Sequence, residues 1–258
     1  MKKVVVITGY NSGIGKGLTA LYQKDGHTVI GLDKFGEFDN KTTFMVDVAD
    51  EQLVASTFDA IGNLYGKIDI LVNCAGYAVF GATELIPTID AKNMFDVNYF
   101  GILNCVKSAI KYMDKGSRIY NISSACALYA VPFRTHYSAS KAAVSMLSYG
   151  LRMELKDSGI DVVAICPGDV RTNFSKNRKK TMLTNEKYGQ RIEKSAKQIE
   201  QRESKRMTIE YATGKMYKIF NKKHTKPMYI VGKSIKFLNF VTRLVPTSTV
   251  LHFTNKYL

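Results

Sequence analysis

The chain has 258 residues, 45% hydrophobic and 23% charged, which excludes a disordered chain and fits an ordinary globular protein. No apolar run reaches the roughly 18 residues that a bilayer crossing needs, and Met1-Lys2-Lys3 ahead of Val4 to Ile7 offers too short an apolar stretch for a signal peptide, so a cytoplasmic protein is expected. The net charge of +15 belongs entirely to the last third: residues 1–172 hold 17 Lys and Arg against 17 Asp and Glu, and residues 173–258 hold 20 against 5.

Short β-branched runs mark strands at 4–8, 28–33, 43–48, 68–73, 118–123 and 161–166, with a last one at 228–231. Between them, helical spacing of apolar residues predicts helices over 13–25, 50–65, 90–113 and 137–156. The last third adds a polar helix over 185–206, with Tyr188, Ile192, Ala196 and Ile199 on one stripe. A helix over 208–220 and an amphipathic basic segment over 234–245 follow. Near-continuous apolar strands alternating with helices imply a mostly parallel seven-stranded sheet covered on both faces, a doubly wound Rossmann-type α/β fold. No Gly/Ser-rich linker, low-complexity tract or repeat breaks the alternation, so residues 1–258 read as one domain in which 173–258 form a basic lid and C-terminal region. Cys74, Cys105, Cys126 and Cys166 lie far apart among apolar neighbours, which suits reduced, buried thiols; no metal site is expected.

The first strand runs directly into Gly9, Asn11, Ser12, Gly13, Ile14 and Gly15 ahead of the first helix. Glycines at such a turn let backbone amides approach a pyrophosphate at a helix N-terminus. Asp33 ends the second strand, where a carboxylate accepts hydrogen bonds from ribose hydroxyls and repels a 2′-phosphate. NAD is therefore expected over NADP, with Lys34 softening that repulsion.

Tyr137 and Lys141 stand one helical turn apart. The same YxxxK spacing recurs at Tyr211/Lys215 and Tyr229/Lys233, so spacing alone identifies nothing. What sets Tyr137 apart is a serine pair, Ser123-Ser124, at the end of the preceding strand. In this company the chain resembles the short-chain dehydrogenase/reductases of about 250 residues. The likeness runs in order through TGxxxGxG at Thr8 to Gly15, Asp47-Val48, Asn73-Cys74-Ala75-Gly76, Asn98, Ser124, Tyr137, Lys141, Pro167-Gly168 and Thr172. It covers residues 1–172 closely and the rest loosely. Cys74 replaces a customary Asn and Ala127 a frequent Gly; neither change removes a reacting group.

The resemblance implies that Tyr137 exchanges a proton with a substrate oxygen while hydride passes between nicotinamide and carbon, and that Ser124 holds that oxygen. It implies that Lys141 lowers the phenol pKa and binds the nicotinamide ribose, and that Asn98 positions a water leading from Lys141 to solvent. Asp47 and Val48 would flank the adenine, Asn73 and Gly76 the adenosine ribose, and Pro167, Gly168 and Thr172 the nicotinamide amide, with Ala75 and Val170 also at the cofactor. It further implies a homodimer or homotetramer built on the helices at 90–113 and 137–156.

The crevice beyond the strand ends leads into Val79, Phe80, Leu128, Tyr129, Val131 and Phe133. An apolar pocket there favours a hydrophobic alcohol or ketone, steroid-, retinoid- or acyl-like. For the basic last third, a solvated helix face, steering of an anionic ligand and contact with an anionic membrane all remain open. Nucleic-acid binding lacks any accompanying signature. The readings that compete with a soluble secondary-alcohol dehydrogenase are a membrane-peripheral lipid reductase and a non-catalytic dinucleotide-binding sensor or scaffold.

Overall fold

A computed structural model describes residues 2–172, 179–202 and 206–257. Seven strands form one sheet: β1 (Val4–Thr8), β2 (Thr28–Asp33), β3 (Thr43–Met45), β4 (Ile70–Asn73), β6 (Arg118–Ile122), β7 (Asp161–Pro167) and β9 (Met228–Val231). Their order is β3-β2-β1-β4-β6-β7-β9, and every pairing is parallel, so the sheet is wholly rather than mostly parallel. A second, two-stranded parallel sheet joins β5 (Val79–Phe80) to β8 (Lys179–Lys180), which the sequence reading did not anticipate.

Alternation along each strand separates two cores. Val5 and Ile7 of β1 face Leu18 and Tyr22 of α1 (Gly13–Lys24) and Met216 and Phe220 of α7 (Ile209–Phe220). Val6 between them faces the other way, toward Val54 and Phe58 of α2 (Glu51–Tyr65), Cys105 of α4 (Gly101–Ala109) and Val144 of α5 (Thr135–Glu154). Burial of such side chains is worth about 1.5–3 kcal/mol each, so the apolar pattern, more than helix propensity, holds the helices in place.

The helix expected over 90–113 is interrupted. It consists of α3 (Thr88–Phe95), a π-helical stretch Asp96–Phe100 around Asn98, α4, and a closing 3-10 turn. Local polar bonding explains the break: the Asn98 amide is committed to tertiary partners described below, and a side chain engaged in this way distorts the helix ladder. The expected lid helix is shorter than 185–206, spanning α6 (Arg191–Gln201), yet it buries Ile192, Ala196 and Ile199 as the stripe predicts. After β9 come α8 (Lys233–Thr242) and an unanticipated α9 (Thr247–Tyr257). Among the described residues, no helix is long and apolar enough to cross a membrane.

Candidate active site

The strand order reverses direction between β1 and β4, so the loops leaving these strands part and open a crevice at the carboxyl edge of the sheet. A cavity of about 640 Å³ occupies it.

One wall is the turn from β1 into α1. Gly15 must lack a side chain, because a Cβ there would lie 2.1 Å from the Gly9 carbonyl oxygen. Gly13 adopts a φ of 49°, a left-handed conformation that costs other residues about 1 kcal/mol or more. The first turn of α1 contains no acidic residue, so its free amide groups and dipole favour an anion. Gly9, Ser12, Gly13, Ile14 and Gly15 all line the cavity. Asn11 does not; its backbone N–H donates to Asp33 Oδ2 at 3.1 Å and so anchors the carboxylate.

Asp33 also accepts from the Phe35 N–H at 3.3 Å, which holds it at the cavity's far end. Lys34 is drawn away to Asp47, with Nζ to Oδ2 at 2.6 Å. Burial alone would push the Asp47 carboxyl up, but the Lys34 bond and charge and the Ala49 N–H outweigh it and hold its pKa below the ordinary value. Asp47, Val48, Ala75, Gly76, Pro167, Gly168, Val170 and Thr172 line the same cavity.

Asn73 belongs elsewhere. As the residue two after Leu71 it projects to the same side of the sheet, where its Nδ2 donates to Asn121 Oδ1 at 2.8 Å. Asn121 in turn donates to Ser148 Oγ at 3.0 Å. The Asn73 side chain therefore forms a buried bridge between β4, β6 and α5 and does not line the cavity beside which the residue is expected.

The opposite wall carries Ser124, Tyr137 and Lys141. Ser124 follows β6, and its Oγ accepts from the Cys126 N–H at 3.1 Å, leaving the hydroxyl proton to be offered to another oxygen. Tyr137 and Lys141 project from α5 into the same cavity. Lys141 is 4% exposed and donates from Nζ to the Ile122 carbonyl at 2.9 Å. Burial lowers its pKa from 10.5 to about 8. Its backbone is pinned too, since Ser123 Oγ donates to the Lys141 carbonyl at 2.7 Å.

Asn98 is fully buried and does not line the cavity. Its Oδ1 accepts from the Tyr77 N–H at 3.0 Å, while Nδ2 donates to the Tyr77 carbonyl at 3.0 Å and to Ser140 Oγ at 3.1 Å. The side chain thus clamps the loop after β4 onto α5. A Cβ on Gly76 would come within 2.7 Å of Asn98 Oδ1 and 3.4 Å of Lys141 Nζ, so a glycine there lets these groups crowd together.

The apolar residues expected to form a substrate pocket are placed differently. Phe80 and Phe133 pack beneath α6 with Ile192 and Ile199, and Val79 packs with Ile86 and Met94. Val131 is buried, and neither Leu128 nor Tyr129 lines the cavity. Ala78, Val97, Ile122 and Cys126 are among the apolar residues that line the cavity instead. Arg134 and Arg206 also line it. Arg134 directly precedes α5 and reaches the cavity from the helix start; no local pattern marks it or Arg206.

The profile of a known family, described as short chain dehydrogenase, matches residues 3–183. The chain is 35% identical over 207 residues to 3-ketodihydrosphingosine reductase of Bacteroides thetaiotaomicron, covering 78% of this chain and 77% of that one. Two solved structures share its fold. A short-chain dehydrogenase from Streptomyces avermitilis is 24% identical with a TM-score of 0.82, over 99% of this chain and 96% of that one. A Burkholderia phymatum short chain dehydrogenase/reductase in complex with NAD is 22% identical with a TM-score of 0.79, over 94% and 93%.

Proposed function

The chain belongs to the short-chain dehydrogenase family and is an oxidoreductase of CH–OH groups, and from that membership we propose that it interconverts a secondary alcohol and a ketone on a largely apolar substrate with NAD. The observation that carries this reading is the convergence of Ser124, Tyr137 and a buried Lys141 on one wall of a crevice whose other wall is a glycine-rich helix N-terminus.

The residues present fit a nicotinamide dinucleotide. Gly9, Gly13 and Gly15 leave the backbone open for a pyrophosphate, Asp33 stands where an adenosine ribose would bond, and Lys141 reaches the nicotinamide end. When bound, the dinucleotide supplies or accepts the hydride. In the reducing direction the Tyr137 hydroxyl gives its proton to the carbonyl oxygen, and Ser124 donates a hydrogen bond to that oxygen as charge develops on it. The Lys141 ammonium stabilises the phenolate left behind. Asn98 keeps Tyr77 and Ser140 in register, so the loop and α5 present these groups together.

Two features support NAD. A 2′-phosphate would meet the Asp33 carboxylate, and the ammonium of the adjacent residue, Lys34, is engaged by Asp47. An apolar substrate is supported by Cys126 beside Ser124 and by Ala78 and Ile122 in the same cavity, and by similarity to a relative named for 3-ketodihydrosphingosine. A homo-oligomer on the α3–α4 segment and α5 is the assembly we infer, because Phe100 in the π-helical stretch between α3 and α4, and Met146 and Met153 on α5, are exposed.

The test is ketone-dependent oxidation of NADH and NADPH by the wild type and by Tyr137→Phe. The variant should lose roughly 100- to 10,000-fold in turnover while still binding NADH, as proton transfer contributes about that much. Undiminished turnover would remove Tyr137 from the reaction, and faster wild-type oxidation of NADPH would overturn the reading of Asp33.

A further inference from the structure

Helix α8 is apolar on two sides. Ile235 turns inward and lies against Gly168, whose added Cβ would come within 2.7 Å of Ile235 Cγ1. Phe237, Phe240 and, just past the helix, Leu244 point outward and are 70%, 60% and 69% exposed. They recur at three- and four-residue spacing and so form one stripe. The amphipathic segment expected from the sequence is thereby divided between a face that packs on the protein and a face that packs on nothing described.

Lys233, Lys236 and Arg243 are exposed around that stripe. None of residues 211–258 is Asp or Glu, so no acidic group from this whole stretch offsets them. We propose that the outer face of α8 docks on an anionic lipid bilayer, with Phe237, Phe240 and Leu244 entering the headgroup boundary and the three cations meeting lipid phosphates.

Charge complementarity selects this occupant. A second copy would bring the same uncompensated positive charge against itself, and a phosphodiester backbone would leave two phenyl rings and a leucine without apolar partners. Docking also has a geometric result. Because Ile235 covers Gly168, and Gly168 lines the cavity, α8 holds the crevice beside the lipid. Delivery of a lipid ketone from the bilayer rests on the proposed function; docking itself does not.

The chain contains no Trp, so Phe237→Trp places a sole reporter on the stripe. Its emission should shift to the blue on phosphatidylglycerol/phosphatidylcholine vesicles and stay unchanged on pure phosphatidylcholine. The wild type should sediment with the anionic vesicles. Combined Phe237→Ser, Phe240→Ser and Leu244→Ser should weaken that binding at least about tenfold, and Lys233→Gln, Lys236→Gln and Arg243→Gln should do the same. Turnover of a short water-soluble ketone should be untouched by both sets, which separates failure of docking from failure of the enzymatic reading. An unshifted reporter, or equal sedimentation with both lipids, overturns the proposal. A serine variant that sediments undiminished but changes from oligomer to monomer also overturns it and assigns the face to a second copy.

Discussion

Lys141 shows what a buried ammonium costs its host. The buried ammonium, with its pKa lowered to about 8, binds its proton more weakly than an ordinary lysine at 10.5. Between these values the unfolded chain holds more protons than the folded one, so stability rises with pH across that window and the full penalty is present below it. That penalty is on the order of 3 kcal/mol. Lys141→Met removes it and strands the Ile122 carbonyl, which costs about 1–3 kcal/mol. The variant should therefore be inactive yet melt a few degrees higher at pH 7, and thermal melts should show the advantage shrinking toward pH 10. A lower melting temperature at pH 7 would refute the account. Reductive turnover of the wild type should fall as pH rises through about 8, because the phenolate formed by proton donation then loses its neighbouring cation. That Tyr137, Lys141 and Ser124 gather in one cavity was legible because all three are tied to element ends. Asn73 was not, since a polar residue at a strand end can face either side, and its side is decided by the pleat.

Strand boundaries at 4–8, 28–33 and 228–231 agree between sequence and structure, where the apolar runs end at Gly9, Asp33 and Gly232. The interruption at Asn98 was hidden because Asp96 to Phe100 is locally compatible with a helix, and only the tertiary bonds to Tyr77 and Ser140 reveal the π-stretch. Phe133 illustrates the same limit. It adopts a φ of 60°, a strained choice for an aromatic residue that costs about 1–3 kcal/mol. Packing against Phe80 and Tyr188, with the Arg191 guanidinium 5.8 Å from its ring, overcomes that strain and fastens α6 over the loops that follow β4 and β6. Phe133→Ala should destabilise the protein by about 3 kcal/mol. Hydrogen exchange should quicken in α6 well before it does in β1 or β4; uniform quickening would show that α6 is not fastened by this ring.

At the scale of the molecule, alternating apolar strands and helices made the two-faced parallel sheet readable, whereas the β5/β8 pair depended on contacts between distant segments. Asp90 of α3 and Lys179 of β8, 2.6 Å apart, tie β8 to the helix that follows β5 as well. Met146 and Met153 lie seven residues apart on the outer face of α5 and are 68% and 73% exposed. If they seal a subunit interface, Met146→Glu with Met153→Glu should convert an oligomer to a monomer in light scattering. A monomeric wild type would dismiss that assembly.

The lone late strand at the sheet's edge bears on how the chain is made. β7 is complete by Pro167, but its outer row of amides and carbonyls is closed only when Met228 to Val231 arrive. On a ribosome, some sixty residues must emerge before that edge is capped, and an uncapped edge invites another nascent chain to pair with it. The strongly cationic tract synthesised in the interval keeps such neighbours apart by mutual repulsion.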